Sequence, residues 1–145
     1  MSELLSQDGL DAVYPQVVHA YARQARLIDS GDARGWASTF TADGIFESPS
    51  YPAPVQGRTQ LEAFARRFAE QGITDGVVSR HVITNVDLTP GPDADHLVGH
   101  SYLQIVATPK GQVSSLVRLT TTVDQWVRAS SGRWLVAHRQ VFRDD

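Results

Sequence analysis

Four long segments in the second half of the chain alternate between apolar and polar residues. They are residues 78–88, 96–108, 113–128 and 134–143, and they are rich in Val, Ile, Leu, Thr and Trp. A period of two is typical of β-strands, because successive side chains point to opposite faces of a sheet. The connections between the segments are short and contain Pro, Gly, Asp or Ser, as hairpin loops do. This half of the chain is therefore predicted to form an antiparallel meander.

The first half of the chain shows the period of an amphipathic helix instead. A first helix is predicted to end near Asp29, where Ser, Gly and Asp follow, and either Asp8 or Asp11 can cap its start. Pro15 fits this helix only if it lies in the first turn, where its missing N–H costs nothing. The helix is predicted to bury its stripe of apolar and aromatic residues against the sheet.

Two shorter helices are predicted between the first helix and the sheet. Asp32 caps the second helix, which extends through Phe40, and a turn and a brief strand at residues 45–47 follow. A third helix spans residues 60–71 and ends at Gly72. Strands much longer than about six residues twist and curl. The order of elements therefore predicts an α+β fold in which three N-terminal helices pack in a strongly curved, mainly antiparallel sheet.

Size and composition restrict the class of protein. The chain of 145 residues fits one domain, residues 1–145, and its net charge of −3 comes from interspersed charges, without the basic stripe that nucleic acid requires. It has no cysteine, which excludes disulfides and thiolate sites. No segment has the length and apolarity of a membrane span, and the first residues lack the pattern of a secretory leader. We therefore expect a cytoplasmic protein.

Asp29 lies on the face of the first helix that should be buried. Helical steps back from it reach Ala25 and Tyr21, which are apolar or aromatic. A buried carboxylate needs a partner, and His81, in the first long strand, is the natural donor. An Asp and a His that meet in a pocket would form an acid–base pair. The alternatives are that Asp29 accepts backbone N–H groups at the start of the second helix, and that His81 bonds a backbone carbonyl in the core.

Five histidines raise the question of a metal site. His19 lies on the polar face of the first helix, and His96 and His100 share one face of a strand. No spacing of His, Asp and Glu brings a ligand set together, so we expect neither a metal nor any other cofactor. Trp126 and Trp134 are expected to cover sheet surface or an oligomer contact.

Several short motifs resemble those of one known family. They are Asp29-Ser30-Gly31-Asp32, Asp43-Gly44, Gly57-Arg58, Arg80-His81 with Asn85, and Gly132-Arg133-Trp134. Together, from about Leu10 to Arg143, they resemble the SnoaL-like branch of the nuclear transport factor two superfamily. The resemblance implies a cone-like α+β barrel with a pocket between the curled sheet and the first helix. Members include polyketide cyclases, scytalone dehydratase, ketosteroid isomerase, limonene epoxide hydrolase and the small subunits of ring-hydroxylating dioxygenases.

The resemblance to scytalone dehydratase implies roles for two residues. Asp29 aligns with the aspartate at the end of the first helix of that enzyme, and His81 aligns with the histidine to which that aspartate is hydrogen-bonded. Its second histidine falls on Ser101, and its two water-holding tyrosines fall on Ile28 and Ser48. The dyad is therefore present, whereas the water-holding groups are missing. The position of the ketosteroid isomerase base is also occupied by Ser48, which lacks a base of its own.

The register of the segment at 113–128 decides between further reactions. The alignment with these relatives turns Val117, Leu119, Thr121 and Val123 toward the pocket. Arg118, Asp124 and Arg139 are then expected on the outer face of the sheet. An epoxide hydrolase of this fold would need an inward Asp-Arg-Asp set, and a SnoaL-type cyclase would need an inward acid on the later strands. With this register the chain offers neither.

The resulting hypothesis is a small-molecule enzyme that dehydrates, cyclises or isomerises an aromatic or polyketide-like carbonyl compound in an apolar pocket. Asp29 and His81 are its predicted proton-transfer dyad. The predicted substrate-binding residues are Tyr21, Tyr51, Ser101, Phe46, Phe64, Leu103, Ile105, Leu119, Thr121 and Val123. No cofactor takes part in this hypothesis.

The alternative is a non-catalytic ligand-binding or assembly module that resembles a ring-hydroxylating dioxygenase small subunit. An open pocket that reaches Asp29 and His81 would favour the enzyme, and a core filled by side chains would favour the module. Either version is expected to form a homodimer or a higher homo-oligomer through the outer sheet face. The residues expected on that face are Val98, Tyr102, Trp126, Trp134 and Phe142.

Overall fold

The computed structural model describes residues 3–145, in which three helices and six strands are present. In chain order these are α1 (Gln7–Asp29), α2 (Ala33–Ala37), β1 (Phe40–Glu47), β2 (Val55–Gln56), α3 (Arg58–Asp75), β3 (Val77–Pro90), β4 (His96–Pro109), β5 (Ser115–Arg128) and β6 (Trp134–Arg143). The predicted α+β fold is confirmed. Each of the four long strands begins and ends within two residues of its predicted bounds.

The six strands form one curved sheet in the order β2-β1-β6-β5-β4-β3. Neighbouring strands are antiparallel except β1 and β6, which are parallel. The register shifts between Thr84 and Asp87 in β3, and the register of β4 against β5 shifts between Ile105 and Val106. Such bulges bend a strand and increase its twist. They allow the long strands to curl, so that the concave face of the sheet encloses α1.

The start of α1 differs from the prediction. Ser6, rather than Asp8 or Asp11, is the N-cap, and its hydroxyl oxygen accepts a hydrogen bond from the Gly9 N–H at 3.1 Å. Pro15 lies inside the helix and not in its first turn. Pro15 and Asp11 are both exposed, so water can bond the Asp11 carbonyl that Pro15 leaves without a helical partner.

The other two helices also differ in length from the prediction. Asp32 caps α2 as expected, but α2 stops before Phe40. The predicted turn at residues 41–44 lies inside β1, where the register with β6 shifts between Phe40 and Ile45. The third helix continues past Gly72 and ends at Gly76, whose φ of 64° is the left-handed conformation that stops a helix. No helix within residues 3–145 combines the length and the apolarity needed to cross a membrane.

The core lies between α1 and the concave face of the sheet. Val17 and Tyr21 of α1 are almost fully buried there. The Tyr21 ring meets the edge of Trp126 with 4.9 Å between ring centroids, and Trp126 Nε1 donates to Tyr21 Oη at 3.2 Å. Trp126 and Trp134 are both buried, so their predicted place on the outer face is wrong. Large aromatic rings contribute more to stability inside, where their whole apolar area leaves water.

Gly99 of β4 lies where the Tyr21 and Trp126 side chains approach the backbone most closely. A Cβ at this position would lie 2.8 Å from Trp126 Nε1 and closer still to Tyr21 Oη. We expect Gly99→Ala to lower the free energy of unfolding by about 1–3 kcal/mol, because neither packed ring can move away freely. Urea denaturation followed by tryptophan fluorescence measures this change. The control is Gly9→Ala in the first turn of α1, and an equally large loss there would contradict the packing explanation.

Candidate active site

A cavity opens between α1, α3 and the concave face of the sheet. It contains about 620 Å³ of space free of protein atoms, counting the part that opens to solvent. Its apolar wall consists of Ala25, Ile28, Trp36, Phe46, Phe64, Phe68, Ile83, Leu103, Ile105 and Val141. Its polar wall consists of Gln24, Ser48, Ser50, Tyr51, His81, Arg118, Thr120 and Arg139. An apolar hollow with a few polar groups is the usual form of a small-molecule site.

His81 and Asp29 form a hydrogen-bonded pair at one side of this cavity. His81 Nδ1 lies 2.7 Å from Asp29 Oδ1, and the backbone N–H of His81 donates to both carboxylate oxygens at 3.1 Å. The imidazole is 12% exposed and the carboxylate 10%. Asp29 therefore accepts from the backbone of β3 and not from the start of α2, which Asp32 caps. This pair therefore connects the C-terminal end of α1 to β3, the edge strand of the sheet.

The pairing fixes the tautomer of the neutral imidazole. A carboxylate only accepts hydrogen bonds, so Nδ1 of His81 carries the proton and Nε2 keeps its lone pair. Within residues 3–145, Nε2 has no hydrogen-bond partner. His81 lines the cavity, whereas Asp29 lies behind it beside a separate surface groove. The Phe68 ring packs against the imidazole with 5.3 Å between centroids. The arrangement leaves one basic nitrogen available to a ligand.

A second ion pair, between Arg139 and Asp124, lies beside the cavity. Nε and Nη2 of Arg139 donate to Oδ1 and Oδ2 of Asp124 at 2.8 and 2.9 Å. The side chains are 5% and 0% exposed. Burial acts to lower the pKa of Arg139, but the charge and the hydrogen bonds of Asp124 outweigh it and raise that pKa. Arg139 Nη1 has no acceptor in the described part of the chain, so this edge of the guanidinium can donate to a ligand.

Tyr21 lies beside this ion pair and not in the cavity wall. The guanidinium carbon of Arg139 is 5.9 Å from the centroid of the Tyr21 ring and 6.0 Å from that of Phe40. Burial, followed by the charge of Asp124, raises the pKa of Tyr21 far above its usual value. Tyr21 is therefore a neutral core residue that does not line the cavity, contrary to its predicted place there.

Arg118 and Tyr51 form the more exposed side of the cavity. Arg118 Nη1 donates to Tyr51 Oη at 3.3 Å, and the guanidinium carbon lies 5.6 Å from the ring centroid. Tyr51 also meets the Phe64 ring edge to face, with 4.9 Å between centroids. This side of the cavity therefore carries a cation and a phenol, whereas Arg139 supplies a buried cation.

The two faces of β5 are the reverse of the prediction. Leu119 is 47% exposed, whereas Thr120, Thr122, Asp124 and Trp126 are buried. The pairing with β4 explains the orientation, because Thr120 lies opposite Leu103 and directly opposite residues share a face. Leu103 faces the cavity, so Thr120 does as well. Arg118, Asp124 and Arg139 consequently lie on the concave side, and not on the outer face as expected.

The residues predicted to bind substrate fall into two groups. Phe46, Tyr51, Phe64, Leu103 and Ile105 lie in the cavity wall, and substrate binding by them stays a prediction. Tyr21, Ser101, Leu119, Thr121 and Val123 are not in the wall, so their predicted place there is wrong. The reversed register explains the three residues of β5. Ser101 faces inward but is buried beneath the cavity, where its hydroxyl and that of Thr122 are 2.6 Å apart.

The sequence analysis missed most of the polar groups in the wall. Gln24 lies on α1 beside the apolar stripe, where no pattern distinguishes it from an exposed glutamine. Asp124 and Arg139 did carry a usable signal. They lie directly opposite each other in the β5–β6 hairpin, and a carboxylate facing a guanidinium across two strands is a typical stabilising pair.

A long helix packed in a curled sheet, with a cavity between them, is the small-molecule isomerase and cyclase fold of the nuclear transport factor two superfamily. The chain belongs to the SnoaL-like domain family, which matches residues 12–140. This confirms the resemblance that the sequence motifs indicated. The family contains polyketide cyclases and dehydratases.

Individual relatives are distant. An uncharacterised PhzA/B-like protein of Pseudomonas aeruginosa is 32% identical over 90 residues, and the match spans 59% of this chain and only 59% of that protein. A Catenulispora acidiphila protein in complex with S-DNPA is 27% identical, with a TM-score of 0.80 over 92% of this chain and 95% of that one. ActVI-ORFA of Streptomyces coelicolor is 23% identical, with a TM-score of 0.84 over 92% of this chain and 96% of that one, a likeness of fold.

Proposed function

We propose that this chain is an enzyme that moves a proton on a flat, mostly apolar carbonyl compound. The observation that carries the proposal is the His81–Asp29 pair, in which the carboxylate holds Nδ1 at 2.7 Å while the imidazole lines the cavity. A general base needs a lone pair within hydrogen-bonding reach of the substrate proton, and Nε2 provides one. The apolar wall strengthens every electrostatic interaction inside the cavity.

In the proposed step, Nε2 of His81 takes a proton from the carbon next to the substrate carbonyl. The electrons of that C–H bond form a carbon–carbon double bond while the π electrons of the carbonyl group move to its oxygen, and an enolate and an imidazolium form. Asp29 stabilises the imidazolium through the bond to Nδ1. In a substrate whose enolate is conjugated with a second double bond, return of the proton to the far carbon of that system completes an isomerisation. In a substrate with a hydroxyl group on the carbon β to the carbonyl, transfer of the proton to that hydroxyl breaks the C–O bond, so that water leaves, the carbonyl re-forms and a carbon–carbon double bond remains.

One arginine of the cavity wall suits the negative charge that this step develops. Arg118 lies on the exposed side of the cavity, where its Nη1 donates to Tyr51 Oη. Donors aimed at a developing oxyanion are a large source of catalysis in a dry site. The comparisons support the class of reaction, because polyketide cyclases and dehydratases occur in the family. Dehydration, cyclisation and isomerisation all begin with such a proton transfer.

Hydrogen exchange on a ketone probe tests the proposal without knowledge of the natural substrate. The protein is incubated in deuterium oxide with a panel of aromatic bicyclic and tricyclic ketones, and proton NMR follows the loss of the hydrogens next to the carbonyl. We expect exchange faster than in buffer at the same pH for ketones that enter the cavity. Exchange at the buffer rate for every ketone shown to bind would contradict the proposal.

The alternative of a non-catalytic assembly module has less support. An open cavity reaches His81, with Asp29 directly behind it, whereas a module that only holds an oligomer together has no need of one. Self-association stays a separate proposal, and it rests on the outer sheet face. Four large apolar side chains of four different strands are at least one third exposed there: Val82, Tyr102, Leu119 and Phe142. Strand pairing places them on neighbouring rungs, so they form one patch.

A charge in the middle of this patch should weaken self-association. We expect Tyr102→Glu to shift the protein toward the monomer, because a carboxylate at an apolar interface loses its water without gaining a partner. Sedimentation equilibrium over a range of protein concentrations measures the shift. Ile73→Glu is the matched control, since Ile73 is 82% exposed but lies on α3. An equal effect of both variants, or a monomeric wild type, would contradict a dimer through the sheet.

A further inference from the structure

Gln24 carries a buried acceptor that the protein leaves unused. Its side chain is 1% exposed and belongs to the cavity wall. Gln24 Nε2 donates to Thr39 Oγ1 at 2.7 Å, but Oε1 has no partner within residues 3–145. A buried acceptor without a donor costs stability, and its presence at a cavity indicates that something else supplies the donor.

The hydrogen-bond network fixes which end of the amide is free. The Thr39 hydroxyl donates its one hydrogen to the Trp36 carbonyl at 2.6 Å, so its oxygen can only accept from Gln24. Only the NH₂ group of Gln24 can donate to it. The oxygen is therefore the atom left for a ligand, and the ligand must offer an O–H or N–H group.

Arg139 lies at the same end of the cavity as Gln24. Thr39, which holds Gln24, directly precedes Phe40, and the Arg139 guanidinium lies 6.0 Å from the Phe40 ring. One helical turn from Gln24, Tyr21 lies 5.9 Å from the same guanidinium. The free acceptor of Gln24 and the donor edge of Arg139 thus belong to the same end of the cavity wall. A hydroxyl group suits this end, because it can donate its hydrogen to the one and accept from the other through its oxygen.

The His81 pair lies at the other end of the cavity. Asp29 follows Gln24 by five residues on α1, which corresponds to about 7.5 Å along the helix axis. Mostly apolar and aromatic side chains line the wall between the two ends. This spacing suits a flat ring system that carries a hydroxyl group at one end and the reacting carbonyl at the other.

We infer that Gln24 selects substrates that carry a ring hydroxyl group, with Gln24 Oε1 accepting the hydroxyl hydrogen and Arg139 donating to its oxygen. The inference rests on the proposed function and deepens it by defining the substrate class as hydroxylated aromatic ketones. A site built to bond a hydroxyl rejects the analogue that lacks it, because the buried acceptor is then left unpaired. Gln24 is thus a specificity residue, and His81 remains the proton-transfer group.

Binding of three matched ketones tests this assignment. The probes are 6-hydroxy-1-tetralone, 6-methoxy-1-tetralone, which has no hydrogen to donate, and 1-tetralone, which lacks the oxygen. Quenching of tryptophan fluorescence reports binding, because Trp36 lines the cavity. We expect the hydroxyl compound to bind about 5- to 100-fold more tightly than the other two. Equal affinities in the wild type, or no binding by any of the three up to their solubility, would overturn the assignment.

Gln24→Met distinguishes recognition from a structural role. The variant keeps the size of the side chain but removes the acceptor, so the preference for the hydroxyl compound should disappear while the affinity for 1-tetralone is retained. Gln16→Met, at an exposed position on the same helix, should keep the preference. A preference that survives in Gln24→Met would overturn the inference, and if that variant does not fold, the wild-type comparison decides alone.

The binding measurement stands apart from turnover. A wild type that prefers the hydroxyl compound but exchanges no hydrogen on any bound ketone would retain this recognition site and lose the proposed catalysis. Exchange without any hydroxyl preference would retain the catalysis and overturn the role of Gln24.

Discussion

Replacement of His81 by asparagine is expected to slow hydrogen exchange on the ketone probes about 10²- to 10⁴-fold, the usual contribution of a general base. Asparagine keeps an N–H group that can donate to Asp29, but it supplies no basic nitrogen to the cavity. Proton NMR in deuterium oxide gives the rate constants, and circular dichroism establishes that the variant is folded. A folded variant with the wild-type rate would remove His81 from the mechanism.

Asp29→Asn tests whether the two residues act as one unit. The amide no longer forces the proton onto Nδ1 or stabilises the imidazolium, so this variant should also lose most of the exchange activity. The double variant should be no slower than His81→Asn alone, because groups that act together are not additive. Arg80→Gln is the control, since Arg80 is exposed and precedes His81 on β3. Independent, multiplying effects of Asp29 and His81 would contradict a dyad.

The helices and long strands could be predicted from the sequence because each hydrophobic pattern continues over many residues. β3 to β6 alternate over ten residues or more, and each is bounded by turn residues, which leaves little freedom in the bounds. Short elements were less well predicted. Phe40 begins β1, although helical spacing from Trp36 assigns it to a helix, because pairing with β6 outweighs the weak propensity of a five-residue helix.

The contact between Asp29 and His81 was predictable because the buried position of Asp29 follows from the helical pattern around it. Asp29 stands on an apolar stripe, and a buried carboxylate demands a donor, which the sheet supplies at His81. The inward face of β5 was predicted wrongly because this strand inverts the usual pattern. Polar residues such as Thr120 and Thr122 are buried, and apolar residues such as Leu119 are exposed. The predicted loop at 109–112 alone does not set this register. Ala107 pairs with Ser115 beside the loop, and only the register shift between Ile105 and Val106 brings Leu103 opposite Thr120, so that both face inward.

The end of the cavity that Gln24 and Arg139 line could not be predicted from the sequence pattern. Gln24 is unusual only because its oxygen has no donor, and that fact depends on where Thr39 and Trp36 lie in space. The chain gives no local sign that a glutamine on a long helix is buried. Functional polar groups break the rule that apolar residues face inward, so a pattern-based analysis misplaces the residues that matter most for recognition.

Breaking the buried Asp124–Arg139 pair should have the largest effect on stability. Asp124→Ala leaves a guanidinium that is 5% exposed without its bidentate partner. Such an uncompensated charge costs about 3–5 kcal/mol of the free energy of unfolding. Urea denaturation measures the loss. Glu62→Ala, which breaks the exposed pair with Arg66, should cost less than about 1 kcal/mol. A loss for Asp124→Ala as small as that of the control would show that the pair is not isolated from water.

The double variant Asp124→Leu with Arg139→Met separates stability from function. Two apolar residues of similar size commonly restore the stability of a broken buried pair, so the double variant should unfold close to the wild type. Such a result would mean that the ion pair is not required for stability. Its role would then be to hold Arg139 so that one edge of the guanidinium can donate to a ligand in the cavity. We therefore expect the stable double variant to bind the hydroxytetralone probe about 10-fold more weakly, or worse, because a charged hydrogen bond is lost. Restored stability with unchanged binding would assign the pair to the core alone.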